Sequence, residues 1–257
     1  MYSVNLTHLL NFCITIALVG LSSLSTFSQD AVAKGEALIQ SAVTAHGGTA
    51  YASAHYQFVF RGKTYTFHNQ GELYTYSKST LKDGQETLDK MDNFGFVRMK
   101  DGAAVSDMTP KQIGGSREGL NSVIYFATLP YKLLDKAVNA KYVADQKIKG
   151  QDYSMVQVTF DQEGGGKDYE DVFMYWFNKS TNTMDYLAYS YHVNGGGVRF
   201  RTAYNTRTVE GVVFQDYVNY KADKTTALDQ LPALWEADQL KELSRIETES
   251  VISMVKR

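Results

Sequence analysis

The sequence contains very little cysteine and proline, with one cysteine and three prolines among 257 residues. Because Cys13 has no second cysteine to pair with, the chain can form no internal disulfide. The scarcity of proline, together with 18 tyrosines and 13 phenylalanines, favours a β-rich protein. The length is sufficient for one well-buried core, and single all-β domains commonly reach this size.

An excess of charge of either sign is also missing, since 26 basic residues stand against 28 acidic residues and the formal net charge is −2. Phosphate contacts need a concentrated basic surface, so this balance argues against a nucleic-acid partner. One short basic cluster, Arg199, Arg201 and Arg207, falls within a predicted hairpin. It fits either a solvated strand face or an anion site, and both interpretations stay open.

Recognisable motifs for metal binding or catalysis are absent from the sequence. The histidines that follow the N-terminal apolar run show no HExxH or other close metal spacing: His46, His55, His68 and His192. No GxSxG elbow is present, and no Rossmann glycine pattern follows a predicted strand. We therefore expect no metal, no cofactor and no catalytic set. An enzyme that uses scattered residues such as His192, His68 or Arg61 stays an alternative.

A hydrophobic run long enough for a comfortable membrane span is missing as well. Residues 9–21 form an apolar run of about the length of a signal-peptide core, and small residues follow it up to Ser28. The first eight residues contain no Lys or Arg, which departs from the usual basic start of a signal peptide. We predict a signal peptide over residues 1–28 and one exported domain over residues 29–257, periplasmic or associated with the outer membrane. An uncleaved anchor is the alternative.

The richest pattern in the chain lies between Asp171 and Tyr220. Four runs rich in Tyr, Phe, Val and Thr are separated by turn clusters, which predicts an antiparallel meander. The alternation gives each run an apolar face. Phe200 lies on such a face, whereas Tyr189, Tyr191 and Tyr217 lie on the opposite faces of their runs. Shorter strands are predicted between His55 and Met108 and between Lys141 and Phe160, with a loose loop at Gly164–Gly166.

Helical periodicity appears in two places. Residues 31–45 predict a helix that stops at Gly47, and His46 fits either a cationic cap at its end or a polar contact at a pocket mouth. Residues 110–136 predict a second helix, with Ser116 as N-cap and Pro130 as its stop. Its apolar face fits a core helix or a lid over an apolar cavity. The tail over residues 240–256 stays open between a helix and a strand, since Leu240, Leu243 and Ile246 suit a helix.

Four ordered segments carry a resemblance to a known group of proteins: Ala45-His46-Gly47-Gly48, Phe60-Arg61-Gly62 with Tyr65, Tyr125 to Asp135, and Thr208 to Phe214. Together they resemble a family of uncharacterised exported proteins from Bacteroidota, over essentially the whole chain after residue 28. That family is in turn similar to the periplasmic lipoprotein-carrier superfamily typified by LolA. The resemblance implies a half-open antiparallel β-barrel with helices in its mouth and a hydrophobic cavity for acyl chains. It also favours a final strand around Ser244 to Met254 over a helix.

The predicted fold is mainly β (α+β), with a curved antiparallel sheet or half-open barrel and helices packed on its concave side. We predict that the protein holds a lipid or other hydrophobic ligand in this concavity, for lipid or lipoprotein transport. A cell-envelope hydrolase and a scaffold that binds envelope proteins are the alternatives. The candidate ligand-binding residues are Arg61, Tyr65, Tyr74, Tyr125, Phe126, Tyr189 and Phe200.

Overall fold

The structure of the protein is a computed structural model, which describes residues 29–163 and 169–255. The predicted signal peptide and the predicted Gly164–Gly166 loop lie outside these residues. The prediction of a mainly β protein is confirmed, because two antiparallel sheets of seven strands each dominate the described chain. The strands are divided between these two sheets, and neither sheet closes into a barrel within the described residues.

The N-terminal sheet has the strand order β14-β1-β2-β3-β4-β5-β6. Its strands are β1 (His55–Phe60), β2 (Lys63–Gln70), β3 (Leu73–Lys82), β4 (Gln85–Asp92), β5 (Phe96–Lys100), β6 (Ala103–Ala104) and β14 (Glu249–Ser253). The predicted end of the last of these strands at Met108 is wrong, because β6 ends at Ala104 and the chain then leaves the sheet.

The C-terminal sheet has the strand order β13-β12-β11-β10-β9-β8-β7. Its strands are β7 (Val138–Ile148), β8 (Gln151–Phe160), β9 (Val172–Asn178), β10 (Met184–Tyr191), β11 (Gly197–Val209), β12 (Val212–Ala222) and β13 (Lys241–Ile246). Strands β9 to β12 are neighbours in chain order, which confirms the predicted meander.

Three α-helices accompany the sheets in the described chain: α1 (residues 29–45), α2 (Pro110–Ala127) and α3 (Leu231–Glu236). The N-cap predicted at Ser116 is wrong, because α2 starts seven residues earlier than this cap implies. Thr109 is the N-cap: its hydroxyl accepts a hydrogen bond from the Gln112 backbone N–H at 3.3 Å, and its own N–H donates to Gln112 Oε1 at 2.8 Å. This capping box, followed by Pro110 at the first helical position, fixes the start of the helix.

The two strands at the end of the described chain belong to different sheets. The tail forms strands rather than a helix, as favoured, but the strand predicted around Ser244 to Met254 is divided in two, because β13 pairs with β12 whereas β14 pairs with β1. Between them, the Thr248 backbone N–H and hydroxyl both donate to Asp216 Oδ1, at 2.9 and 3.1 Å. This anchor interrupts the strand at the point where the chain crosses from one sheet to the other.

The C-terminal sheet is covered on both faces. On one face, Tyr175 and Phe177 pack with Ile39 and Val43 of α1, and on the other face Trp176 packs with Leu231 of α3. Strand β9 is therefore buried from both sides, as its uninterrupted apolar sequence predicts. The N-terminal sheet instead packs one aromatic face against the buried side of α2 and against the β11–β12 hairpin.

Helix α1 approaches strand β7 closely at Gly35, and we expect Gly35→Ala to destabilise the protein. A Cβ atom at Gly35 would lie 2.9 Å from the Tyr142 backbone nitrogen and 3.1 Å from the Lys141 carbonyl carbon. Such overpacking costs about 1–3 kcal/mol, against about 1 kcal/mol gained from the higher helix propensity of alanine. Urea unfolding of the variant should therefore give a lower free energy of unfolding than that of the wild type.

Gly119 offers a matched control for this substitution, because it lies in the interior of α2 with open space around its Cα. Gly119→Ala should raise the free energy of unfolding by up to about 1 kcal/mol, since only helix propensity changes. If both variants were stabilised alike, the close approach of α1 to β7 would not constrain position 35.

Candidate functional site

A cavity of about 620 Å³ lies where α2 faces the C-terminal sheet. The second half of α2 lines it on one side, strands β8 to β13 line it on the other, and the β1–β2 turn contributes Phe60 and Arg61. Small-molecule sites typically measure about 300–1,000 Å³, so this space has the size of a ligand site.

The wall of the cavity is built around a cluster of aromatic rings. The ring centroids of Phe126, Phe173 and Tyr189 lie 5.2–6.4 Å from one another, and Tyr125 and Phe160 extend the cluster on either side. These separations suit the offset and edge-to-face contacts that aromatic rings favour. The cavity is therefore predominantly an apolar, aromatic space, contributed by α2, β8, β9 and β10.

Buried hydroxyl groups lie among these rings. The Tyr125 hydroxyl on α2 is 3.1 Å from the Tyr175 hydroxyl on β9, and burial raises the pKa of both groups. The Tyr217 hydroxyl accepts a hydrogen bond at 2.7 Å from Gln215 Nε2, which also donates to the Met184 carbonyl at 2.8 Å. These hydroxyls stay protonated at neutral pH and give the apolar wall a few fixed polar points.

The basic cluster on β11 is divided by the bulge between Tyr204 and Arg207. Arg199 and Arg201 face the cavity, whereas Arg207 pairs with Asp216 at 3.2 Å away from it. The interpretation of Arg201 as part of a solvated strand face is wrong, because the residue is only 7 % exposed. Its guanidinium carbon lies 4.0 Å from the centre of the Phe126 ring, and Nη2 donates to the Tyr189 hydroxyl at 2.9 Å.

The structure brings four of the seven candidate ligand-binding residues together. Arg61, Tyr125, Phe126 and Tyr189 all line the cavity. Their role in ligand binding stays a prediction, but their convergence from a turn, a helix and a strand supplies the geometry that such a role needs. Phe160 and Phe173 also line the cavity and were not predicted as site residues, although both belong to strands rich in apolar and aromatic residues.

The other three candidates, Tyr65, Tyr74 and Phe200, lie outside the cavity wall. Tyr65 packs on Phe58 in the N-terminal sheet, and Tyr74 packs on Tyr76 in the same sheet. Phe200 lies on the opposite face of the C-terminal sheet, where it contacts Trp235 of α3. Because successive residues of a strand point to opposite faces, placing Arg201 in the cavity turns Phe200 away from it.

His46 lies outside the cavity wall and is fully buried at the end of α1. Its Nε2 accepts a hydrogen bond from the Met184 backbone N–H at 3.1 Å, and its carbonyl accepts one from the Val213 N–H at 2.9 Å. Burial lowers the pKa of His46 to about 4, so the ring is neutral at physiological pH. The interpretation of His46 as a cationic cap is therefore wrong, and its contact is with the backbone of β10.

The residues considered for a scattered hydrolase site are not assembled in the cavity wall. His68 stacks on His55 in the N-terminal sheet at 4.2 Å between ring centroids. The His192 side chain is 67 % exposed, with Nδ1 3.7 Å from Asp171, while Arg61 is the one of the three that lines the cavity. Within residues 29–163 and 169–255, no group of three His, Cys, Asp or Glu residues is placed to hold a metal ion.

The fold and the cavity define a two-sheet β protein with a partly open aromatic cavity lined by a helix. The chain belongs to DUF6503, a family of unknown function, whose model matches residues 56–248. A comparison with curated proteins finds no match. In the part of the chain that the structure describes, no helix combines the length and the apolar character needed to cross a membrane.

Several solved structures are similar to this chain over most of its length. A LolA superfamily protein from Nitrosomonas europaea is 9% identical, with 87% of this chain and 94% of that chain covered and a TM-score of 0.49. A DUF1329 family protein from Desulfovibrio piger is 9% identical, with coverages of 86% and 93% and a TM-score of 0.42. A domain proposed to be an outer membrane lipoprotein-sorting protein, from Vibrio parahaemolyticus, is 12% identical, with coverages of 87% and 93% and a TM-score of 0.41.

Proposed function

We propose that this protein binds a lipid or other hydrophobic small molecule in the cavity between α2 and the C-terminal sheet. The observation that carries the proposal is the aromatic cavity of about 620 Å³. Small-molecule sites are typically concavities of this size with mostly apolar and aromatic walls and a few polar groups. Water gains few hydrogen bonds from aromatic walls, so an apolar ligand is the occupant that suits this space.

The two sides of helix α2 face different parts of the protein, which supports a binding role. Leu120 and Ile124 are fully buried against the N-terminal sheet, whereas Tyr125 and Phe126 line the cavity. The helix is therefore a core element and a cover of the cavity at the same time. This arrangement holds the cover in place while its cavity side remains available for contact with a ligand.

The proposal includes export of the protein to the cell envelope. Support comes from the sequence, where the apolar run at residues 9–21 has the length of a signal-peptide core and small residues follow it. In the periplasm, or at the outer membrane, a single domain with an aromatic cavity would shield an acyl chain from water. The proposed activity is thus carriage or capture of a lipid or a lipid-bearing protein, without chemistry on it.

Native mass spectrometry of the protein purified from the envelope of the producing cells tests this function. We expect a discrete additional mass that organic extraction removes and that behaves as a lipid. Ser122 is exposed on α2 and lines the cavity. Ser122→Trp should therefore obstruct the cavity and lower the fraction of protein that carries lipid severalfold. A purely bare protein mass, together with no uptake of added lipid, would contradict the proposal.

Arg117 provides the control for this variant, because it is also exposed on α2 but does not line the cavity. Arg117→Trp adds the same indole to the same helix and should leave the occupied fraction unchanged. Equal losses in both variants would mean that the bound molecule lies elsewhere on the protein.

A further inference from the structure

Arg201 is a buried cation with unused hydrogen-bond donors. It is 7 % exposed, and Nη2 donates to the Tyr189 hydroxyl at 2.9 Å. Its Nε and Nη1 atoms have no hydrogen-bond partner among the described residues. The salt bridges of the described residues do not include Arg201. Burying a charge without an ionic partner is unfavourable, so its presence here calls for a compensating group.

The surroundings of Arg201 position the guanidinium without satisfying it. The Phe126 and Tyr189 rings lie 4.0 and 5.2 Å from the guanidinium carbon, which provides cation–π attraction and holds the group at the wall. Ring faces accept no conventional hydrogen bonds, so the remaining donors stay open. Burial raises the pKa of Tyr175 and of Tyr217, and although the charge of Arg201 acts in the opposite direction, both hydroxyls remain neutral and supply no counter-charge.

Two other cations of the cavity wall, Arg199 and Lys132, have polar partners, and a third, Arg61, is exposed to solvent. Arg199 donates to the Tyr191 hydroxyl at 2.5 Å and to the Val198 carbonyl at 2.9 Å. Lys132 forms an ion pair with Asp135 at 2.6 Å. A buried carboxylate, Asp171, also lies in the wall, and His192 approaches it at 3.7 Å. Arg201 therefore differs from Arg199 and Lys132 in presenting unsatisfied donors next to an apolar space.

We propose that Arg201 is the anchor for a terminal oxyanion, so that the cavity takes an amphipathic acid such as a fatty acid or a single-chain lipid phosphate. This inference rests on the proposed binding function and specifies its ligand class. The oxyanion accepts hydrogen bonds from the guanidinium, which carries five N–H donors in a fixed plane. The hydrocarbon chain then packs among Phe126, Phe173 and the other rings of the wall.

Displacement of the neutral fluorescent probe N-phenyl-1-naphthylamine tests the anchor, with palmitate, hexadecyl phosphate and hexadecanol as competitors. We expect wild-type protein to bind the two acids about tenfold or more tightly than the alcohol, since hydrogen bonds to charged groups are of that strength. Whichever acid binds more tightly identifies carboxylate or phosphate as the preferred group. In Arg201→Met, the affinity for the two acids should fall to the affinity for hexadecanol. The affinity for hexadecanol itself should stay within about twofold of the wild-type value, because the apolar wall is retained.

The matched control is Arg245→Met, which removes one positive charge from an exposed residue of β13 outside the cavity wall. It should bind all three competitors as the wild type does. In the ligand-free state, Arg201→Met should melt at the same temperature as wild type or higher, because it removes a buried charge that lacks an ionic partner. A merely structural arginine would give the opposite shift.

The outcomes separate the two proposals. If wild-type protein bound hexadecanol as tightly as palmitate and hexadecyl phosphate, the oxyanion anchor would be overturned and the binding function would stand. Loss of hexadecanol binding in Arg201→Met would show that Arg201 acts through packing, which also overturns the anchor. Absence of binding of every competitor to wild-type protein would overturn both the anchor and the proposed function.

Discussion

Replacing Asp89 with asparagine is expected to lower the free energy of unfolding by about 3–5 kcal/mol, because it leaves two cations around a neutral buried group. Asp89 lies on β4 and is fully buried. It accepts hydrogen bonds from Arg98 Nε at 2.5 Å and Nη2 at 2.8 Å on β5, and pairs with Lys78 Nζ at 2.7 Å on β3. One carboxylate thus ties together three neighbouring strands.

The same network extends to the helix that covers the cavity. Arg98 Nη2 also donates to the Ser116 hydroxyl on α2 at 2.9 Å. Removing the charge of Asp89 would therefore release Arg98 and weaken the attachment of α2 to the N-terminal sheet. We expect Asp89→Asn to reduce ligand retention as well as stability, since the cover of the cavity loses an anchor.

The pH dependence of this interaction follows from the direction of its pKa. Burial alone would raise the pKa of Asp89, but hydrogen bonds from Arg98 and Lys78 outweigh it and hold the pKa below its usual value. A group whose pKa is lowered on folding stabilises the native state above its unfolded pKa, which is about 3.9 for aspartate. That stabilisation is lost as the pH falls through the lower folded-state pKa, so it is fully present at neutral pH.

Urea unfolding at neutral pH measures the effect, with Asp152→Asn as the control. Asp152 pairs with Lys147 at 3.1 Å on the sheet surface, where both side chains are 64 % exposed. An exposed pair contributes about 0–1 kcal/mol, so this variant should unfold almost as the wild type does. Similar small losses in both variants would show that the Asp89 network is not a structural anchor.

Acidification from pH 6.5 to 4 is expected to lower the free energy of unfolding by about 3 kcal/mol through His46 alone. Each unit of difference between the pKa of the folded and the unfolded chain contributes about 1.36 kcal/mol. The folded-state pKa of His46 is about 4, lowered by burial, against about 6.5 in the unfolded chain. Between these values, the unfolded chain binds the proton and the folded chain does not. The stabilisation is therefore complete above pH 6.5 and is lost progressively as the pH falls towards 4.

The physical reason is that protonation would convert a hydrogen-bond acceptor into a donor. His46 Nε2 accepts the Met184 N–H, and protonated Nε2 would face that N–H as a second donor. The loss of this contact would detach the end of α1 from β10. Burial also lowers the pKa of His55, and the charge of the neighbouring His68 adds to that shift, so His55 contributes in the same direction.

The measurement is urea unfolding at pH 7 and at pH 4.5 for wild type and for His46→Gln. Glutamine retains a side-chain acceptor but does not titrate, so the variant should lose distinctly less stability between the two pH values. The contribution of His55 stays in both proteins and cancels in the comparison. An identical pH dependence for both proteins would rule out His46 as the responsible group.

The strand pattern could be predicted from the sequence because alternation and turn residues are local signals. The meander through β9 to β12 and the burial of both faces of β9 follow from such signals. The start of α2 could also be predicted from the local sequence, because Thr109 and Gln112 form a capping box and Pro110 follows the cap. The prediction of Ser116 as the N-cap did not take this stronger local signal into account.

The identity of the cavity-facing side could not be predicted, because alternation defines two faces of a strand without saying what each face meets. On β11 the apolar face, with Phe200, packs against α3 and its flanking residues. The face with Arg201 turns to the cavity, although its composition predicts solvent. The burial of His46 likewise depends on distant segments, which residue spacing does not reveal.

The crossing of the chain at Thr248 has a consequence for the order of assembly. Strand β13 forms one edge of the C-terminal sheet, and β14 forms one edge of the N-terminal sheet. Both edges are thus added by residues 241–253, after every other strand has left the ribosome. Until then, β1 and β12 expose unpaired backbone groups, which are templates for association with other chains. A newly made chain therefore benefits from being kept unfolded until its last two strands are available.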